Sequence, residues 1–88
     1  MVERRVQIPN KLGLHARPAQ LFAQTASQFE SEITVEKDGM VVDGKSIMGL
    51  MLLVAEQGAW LTIRAEGPDA KEAVDALAQI VEEGFGEE

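Results

Sequence analysis

Val2, Arg4, Val6 and Ile8 alternate with Glu3, Arg5 and Gln7 at the start of the chain. That period of two predicts a half-buried first strand, which Pro9 ends. Asn10-Lys11-Leu12-Gly13-Leu14 follows as a loop with Gly13 as its flexible point. From Ala16 the period lengthens. Ala19, Phe22, Ala23 and Ala26 fall three and four residues apart, with Gln20, Gln24 and Gln28 away from that stripe. This predicts an amphipathic helix of about three turns. Pro18 is tolerated only in a first turn, so the helix starts just upstream and His15 lies at or next to its N-cap. Ile33-Thr34-Val35 and Met40-Val41-Val42 read as two strands joined through Asp38-Gly39, a strong hairpin signal. Ser46 is a good N-cap for the apolar segment 47–55, whose Met and Leu content favours a short helix over a buried strand. Leu61, Ile63 and Ala65 alternate with Trp60, Thr62 and Arg64 in a fourth strand. Asp69 and Glu72 form a D-x-x-E variant of the capping box. Beyond it Ala70, Ala73, Val74, Leu77, Ile80 and Val81 share one helix face, Gly84 marks the stop, and residues 85–88 read as a frayed tail.

The predicted order is βαββαβα. Strands with a single apolar face suit an antiparallel sheet wet on one side. The helices then cover the other side, in a two-layer α+β domain. The 88 residues amount to one domain, 1–88, with a modest core.

Composition narrows the function classes. The chain has no cysteine, which excludes disulfides, thiolate metal sites and cysteine nucleophiles. A net charge of −7 makes it a poor partner for nucleic acid. No apolar run approaches the ~20 residues of a membrane span, and no apolar leader follows the first residues, so a cytoplasmic location is expected. The charge is uneven. Residues 1–50 carry six cations and six anions, whereas residues 51–88 carry two cations and nine anions. Lys11 and Arg17 bracket His15, and no carboxylate stands between Glu3 and Glu30. The local field at His15 is therefore expected to be positive, with the acidic tail remote from it in sequence.

His15 is the only histidine. It cannot hold a metal alone, and no Ser-His-Asp order or glycine-rich phosphate loop accompanies it. A lone histidine in such a place is by default a surface or capping residue. Three features point further. Gly13 lets backbone approach a ligand closely. The helix start attracts anions and disfavours imidazolium. Arg17 carries a guanidinium suited to forking onto phosphoryl oxygens. Together they describe a histidine that could take and hold a phosphoryl group, with donor and acceptor supplied by partners. Ser46 is either a plain N-cap or a modification site, since a dianion is welcome at a helix N-terminus. Ile47, Met48, Leu50 and Met51 offer core packing or, in part, an exposed docking patch.

The chain resembles the HPr family, the histidine-containing phosphocarriers of the bacterial phosphoenolpyruvate-dependent sugar phosphotransferase system. Three segments carry the resemblance: Gly13-Leu14-His15-Ala16-Arg17-Pro18-Ala19, Gly44-Lys45-Ser46-Ile47-Met48-Gly49-Leu50-Met51, and Ile63-Arg64-Ala65-Glu66-Gly67-Pro68-Asp69-Ala70. It implies an open-faced β-sandwich, with a four-stranded antiparallel sheet ordered 1-4-2-3 and three helices on one face. It implies that His15 is phosphorylated on Nδ1 by enzyme I, steadied by Arg17, and that the group passes to IIA domains of sugar permeases. The protein would be a carrier and not an independent catalyst, without cofactor or metal, and a monomer. Ser46 matches a position modified by an ATP-dependent kinase/phosphorylase, which in some bacteria also recruits a catabolite repressor protein. Docking residues fall at Ala16, Arg17, Gln20, Gln24, Ile47, Met48 and Met51, with Lys45 in the same set. Glutamines stand where the family often has basic residues on the first helix, which implies docking through apolar contacts. The Asn10-to-His15 pattern is also seen in nitrogen-system relatives. The alternatives are thus a regulatory phosphocarrier of the nitrogen-type system, or an interaction module governed by Ser46. His15 itself argues against the regulatory paralogue of the family, which lacks that histidine.

Overall fold

Four alternating segments become strands and three periodic ones become helices. They are β1 (Val2–Gln7), α1 (Ala16–Ala26), β2 (Glu32–Lys37), β3 (Met40–Asp43), α2 (Ile47–Leu52), β4 (Trp60–Glu66) and α3 (Ala70–Glu82), with a short 3₁₀ turn at Gly84–Gly86. The computed structural model describes residues 1–87, and Glu88 lies outside the described residues. The strands form one antiparallel sheet in the order β1-β4-β2-β3, the order expected.

Register follows from burial. Val6 stands opposite Leu61, Val35 opposite Ile63 and Ile33 opposite Ala65, and all six are buried. A slip of one residue would turn this whole set to water. The helices bring Ala19, Phe22, Ala23 and Ala26 from α1, Leu50 from α2, and Ala73, Val74, Leu77, Ala78 and Val81 from α3 onto that face. The other face is polar. Arg64 bridges Glu3 at 3.0 Å and Glu36 at 2.6 Å across three strands, and the Arg5 guanidinium lies 4.6 Å above the Trp60 ring. The β2–β3 turn takes positive φ at both Asp38 (51°) and Gly39 (87°), the pair a type I′ hairpin requires.

Two local expectations fail. Asp69 occupies the N-cap of α3, but its side chain makes no cap bond. Its carboxylate instead accepts the backbone N–H groups of Glu30 (2.9 Å) and Ser31 (3.0 Å) and the Ser31 hydroxyl. Ser31 is fully buried in the α1–β2 connection, and its polar groups need an acceptor there. Gly67 lets the two segments meet, because a Cβ on it would lie 2.7 Å from Ser31. The tail over residues 85–87 is also not frayed. Phe85 is buried, with Gly84 and Gly86 at positive φ on either side of it. An apolar side chain just past a helix-ending glycine packs back onto the domain, and the chain after it is tied down.

Candidate functional site

His15 stands where expected, at the N-cap of α1, with its carbonyl accepting the Ala19 amide at 2.9 Å. The loop that delivers it is fastened to the α2–β4 connection. Leu14 N–H donates to the Ala55 carbonyl (2.9 Å), Ile8 N–H to Ala59 (2.9 Å), Gly58 N–H to Ile8 (2.8 Å) and the Gln57 side chain to the Pro9 carbonyl (3.0 Å). Gly13 serves this fastening. Its φ is +67°, and a Cβ there would sit 2.3 Å from the Ala55 carbonyl oxygen. Pro18 has no N–H, so the free donors of the first turn are the Ala16 and Arg17 amides. The opposing loop is itself strained, since Val54 holds φ +47°, a conformation β-branched residues rarely adopt.

The expectation of a carboxylate-free field fails here. Glu87 folds back onto the site, and its carboxylate lies 2.9 and 3.1 Å from His15 Nε2. The same carboxylate accepts Arg17 Nε at 3.0 Å and Asn10 Nδ2 at 3.0 Å. Arg17 Nη2 donates to the Phe85 carbonyl at 3.2 Å, so the 3₁₀ turn is tied to the first turn of α1. The Glu87 side chain is only 15 % exposed, against 36 % for His15 and 59 % for Arg17. The His15 hydrogen bond, foremost, then those of Asn10 and Arg17, hold the Glu87 carboxyl below its ordinary value against the opposing effect of desolvation. Asn10 is buried, and its second amide hydrogen goes to the Gly13 carbonyl at 2.9 Å.

Beside His15 runs a groove lined by Leu12, Leu14, Met51, Val54, Ala55 and Glu56. It brings the C-terminal end of α2 to the histidine. Ile47, Met48, Met51 and Leu52 are exposed, while Leu50 and Leu53 fill the core, so the apolar segment divides between packing and surface. Ala16, Gln20 and Gln24 are exposed on α1. Ser46 caps α2 as expected, its Oγ accepting Gly49 N–H at 3.0 Å. It stands at the far end of that helix from the groove, about 9 Å along a six-residue helix. Lys45 turns elsewhere, and its ammonium donates to the Phe29 carbonyl at 2.8 Å. Sequence reasoning missed Asn10, Phe85 and Glu87. The available signal was Phe85, an apolar residue directly after Gly84. Among the described residues no three metal-ligating side chains come together, and no helix is long and apolar enough to cross a membrane.

Comparison with known proteins places these features. The family model described as the PTS HPr component phosphorylation site matches residues 2–83. The chain is 48% identical over 87 residues to phosphocarrier protein HPr of Neisseria meningitidis, covering 99% of this chain and 98% of that protein. It is 51% identical over 82 residues to the HPr-like protein Crh of Halalkalibacterium halodurans, covering 93% and 98%. Among solved structures, an HPr of Thermoanaerobacter tengcongensis superposes with a TM-score of 0.96 at 55% identity, covering 100% and 99%. An HPr dimer from the same organism superposes at 0.79 with 54% identity, covering 99% and 100%.

Proposed function

The chain belongs to the HPr family and is a phosphoryl carrier of the phosphotransferase system, and from that premise we propose that His15 carries the phosphoryl group. Enzyme I donates it and IIA domains of sugar permeases receive it. The Nδ1 lone pair attacks phosphorus. The bond from phosphorus to enzyme I breaks, and its electron pair stays with enzyme I. The Ala16 and Arg17 amides and the Arg17 guanidinium are the donors that steady the phosphoryl oxygens. The observation that carries this reading is His15, half exposed at the N-cap of a helix whose first-turn amides are free, beside an arginine of that same turn. The groove with Met51, the exposed Ile47 and Met48 further along α2, and the exposed Ala16, Gln20 and Gln24 of α1 form the docking surface for both partners. Lys45, next to Ser46 at the start of α2 and held by the Phe29 carbonyl, joins this surface at its far end from the groove.

Ser46 is a substrate for a regulatory kinase/phosphorylase in this proposal. Its hydroxyl is half-buried while it caps α2, so phosphorylation replaces one cap oxygen by another. Residues 1–88 act as a single domain, cytoplasmic and monomeric, and sedimentation at working concentration tests the last point.

Incubation with phosphoenolpyruvate and enzyme I should add one acid-labile phosphate per chain, and His15→Ala should abolish it. Labelling that survives the substitution overturns the assignment. The Crh likeness keeps the Ser46-governed module as a second reading. Phosphorylation of Ser46 by ATP and kinase, without transfer through His15, would favour it.

A further inference from the structure

We propose that Glu87 is a positioning residue for phosphoryl transfer: its carboxylate accepts the hydrogen of His15 Nε2 and leaves the Nδ1 lone pair free as the nucleophile. The inference rests on the reading of His15 as the carrier. Glu87 lies beyond residues 2–83, the span the family model matches, so nothing in that match assigns it a role.

The argument is one of donor and acceptor inventory. An ionised carboxylate has only acceptors. Both its oxygens lie within hydrogen-bond distance of the same ring nitrogen, at 2.9 and 3.1 Å, so Nε2 must carry the hydrogen. A neutral imidazole with its hydrogen on Nε2 has an unprotonated Nδ1. The carboxylate is itself fixed. Asn10 donates to one oxygen and Arg17 to the other, and the Glu87 amide donates to the Gly84 carbonyl at 2.9 Å. The buried Phe85 side chain anchors the turn that carries it.

This arrangement does not consume Arg17. The guanidinium has five N–H donors, and Glu87 and the Phe85 carbonyl take one each. Three remain for phosphoryl oxygens. Nor does Glu87 occupy the place of the incoming group, because it faces Nε2 and the phosphoryl group bonds to Nδ1 across the ring. The step balances without proton loss. Nδ1 forms the N–P bond, the bond to the donor breaks with its electrons, and the hydrogen stays on Nε2. Positive charge then develops on the ring, directly against the Glu87 carboxylate. An interaction that strengthens toward the transition state speeds the step in both directions.

The test uses the full chain with ¹⁵N-labelled His15, as wild type, Glu87→Ala, Glu87→Gln and Glu87→Asp. The groups facing the ring are Glu87, Arg17 and, across the groove, Glu56. Ring ¹⁵N shifts at neutral pH should show the Nε2–H form in the wild type and a mixture of both tautomers in Glu87→Ala. The rate of phosphorylation by phosphorylated enzyme I should fall about tenfold in Glu87→Ala, the scale of one charge-assisted hydrogen bond. Glu87→Asp should recover part of the rate, and Glu87→Gln less of it. Unchanged tautomer and unchanged rate in Glu87→Ala overturn the proposal. So does a faster rate, which would make Glu87 a competitor for the site. Failure of the underlying reading is separate, because it appears as a wild-type chain whose label is not on His15.

Discussion

The Glu87 carboxylate accepts hydrogen bonds from three side chains that lie far from it in sequence, and its titration reports on all of them. With the folded value lowered, the ionised form favours the folded, tied-down tail. Its contribution is fully present above the ordinary value of 4.5 and is lost as pH falls through the lower folded one. The carboxyl carbon of Glu87, followed by NMR, should therefore titrate with a midpoint below 4.5. His15→Ala removes the largest cause of the depression, so the midpoint should move up in that variant. A midpoint that stays put would mean that the ring contact does not form in solution. Val54 marks the opposite case, a residue strained by its backbone and not relieved by any charge. It sits on the loop that receives the Leu14 amide one residue later, so the strain lies in the segment that fixes the height of His15.

Among the elements, α3 begins on a residue that works for another segment. Asp69 spends its carboxylate on Glu30 and Ser31, and so pins the α1–β2 connection to the start of α3. Asp69→Ala should leave the buried Ser31 N–H and hydroxyl without an acceptor, and it should lower Tm by about 5 °C or more in a domain of this size. Glu72→Ala, which would be equally damaging if a capping box existed, should change Tm by less than about 2 °C. Equal losses in the two variants would contradict the observed contacts. This case shows where sequence reading stops. Periodicity marks β1, β4, α1 and α3, because burial on one face is written into residues two, three or four apart, whereas α2 is legible only through its Ser46 cap and its Met and Leu content. The Asp-Gly hairpin and the Ser46 cap were equally legible, since their partners lie within three residues. Asp69 was misread because Ser31 competes for its carboxylate from 38 residues away. The tail was misread for the same reason. His15 and Arg17 were visible as a local pattern, whereas Glu87 joins them only through a fold that buries Phe85. Charge counted along the chain therefore predicted a carboxylate-free site that folding does not produce.

At the scale of the whole molecule, the acidic excess belongs to residues 51–88, and two of its members, Glu87 and Glu56, stand beside His15. Apart from Glu56, the groove beside His15 on the α2 side is apolar. Leu12, Met51 and Val54 are exposed along it, and Met48 and Leu52 are exposed on α2, although a domain this small has few apolar side chains to leave outside its core. Exposed methionines adapt to more than one partner shape, which suits a carrier that takes a phosphoryl group from one protein and gives it to another. If that surface docks enzyme I, affinity and chemistry should separate. Met48 is 78% exposed, so Met48→Asp should fold with nearly unchanged Tm. A desolvated charge at the contact should raise KM for phosphorylation by enzyme I about tenfold, about 1.4 kcal/mol of binding. The value of kcat should stay within about twofold, because Met48 is not among the residues that line the groove at His15 or hydrogen-bond to it. The Glu87 variants should show the converse, a loss mainly in kcat. A Met48→Asp variant with unchanged KM would place docking on another face. Because the contact is mostly apolar, the wild-type KM should also change little between low and moderate salt, unlike that of a carrier docked through basic residues on α1.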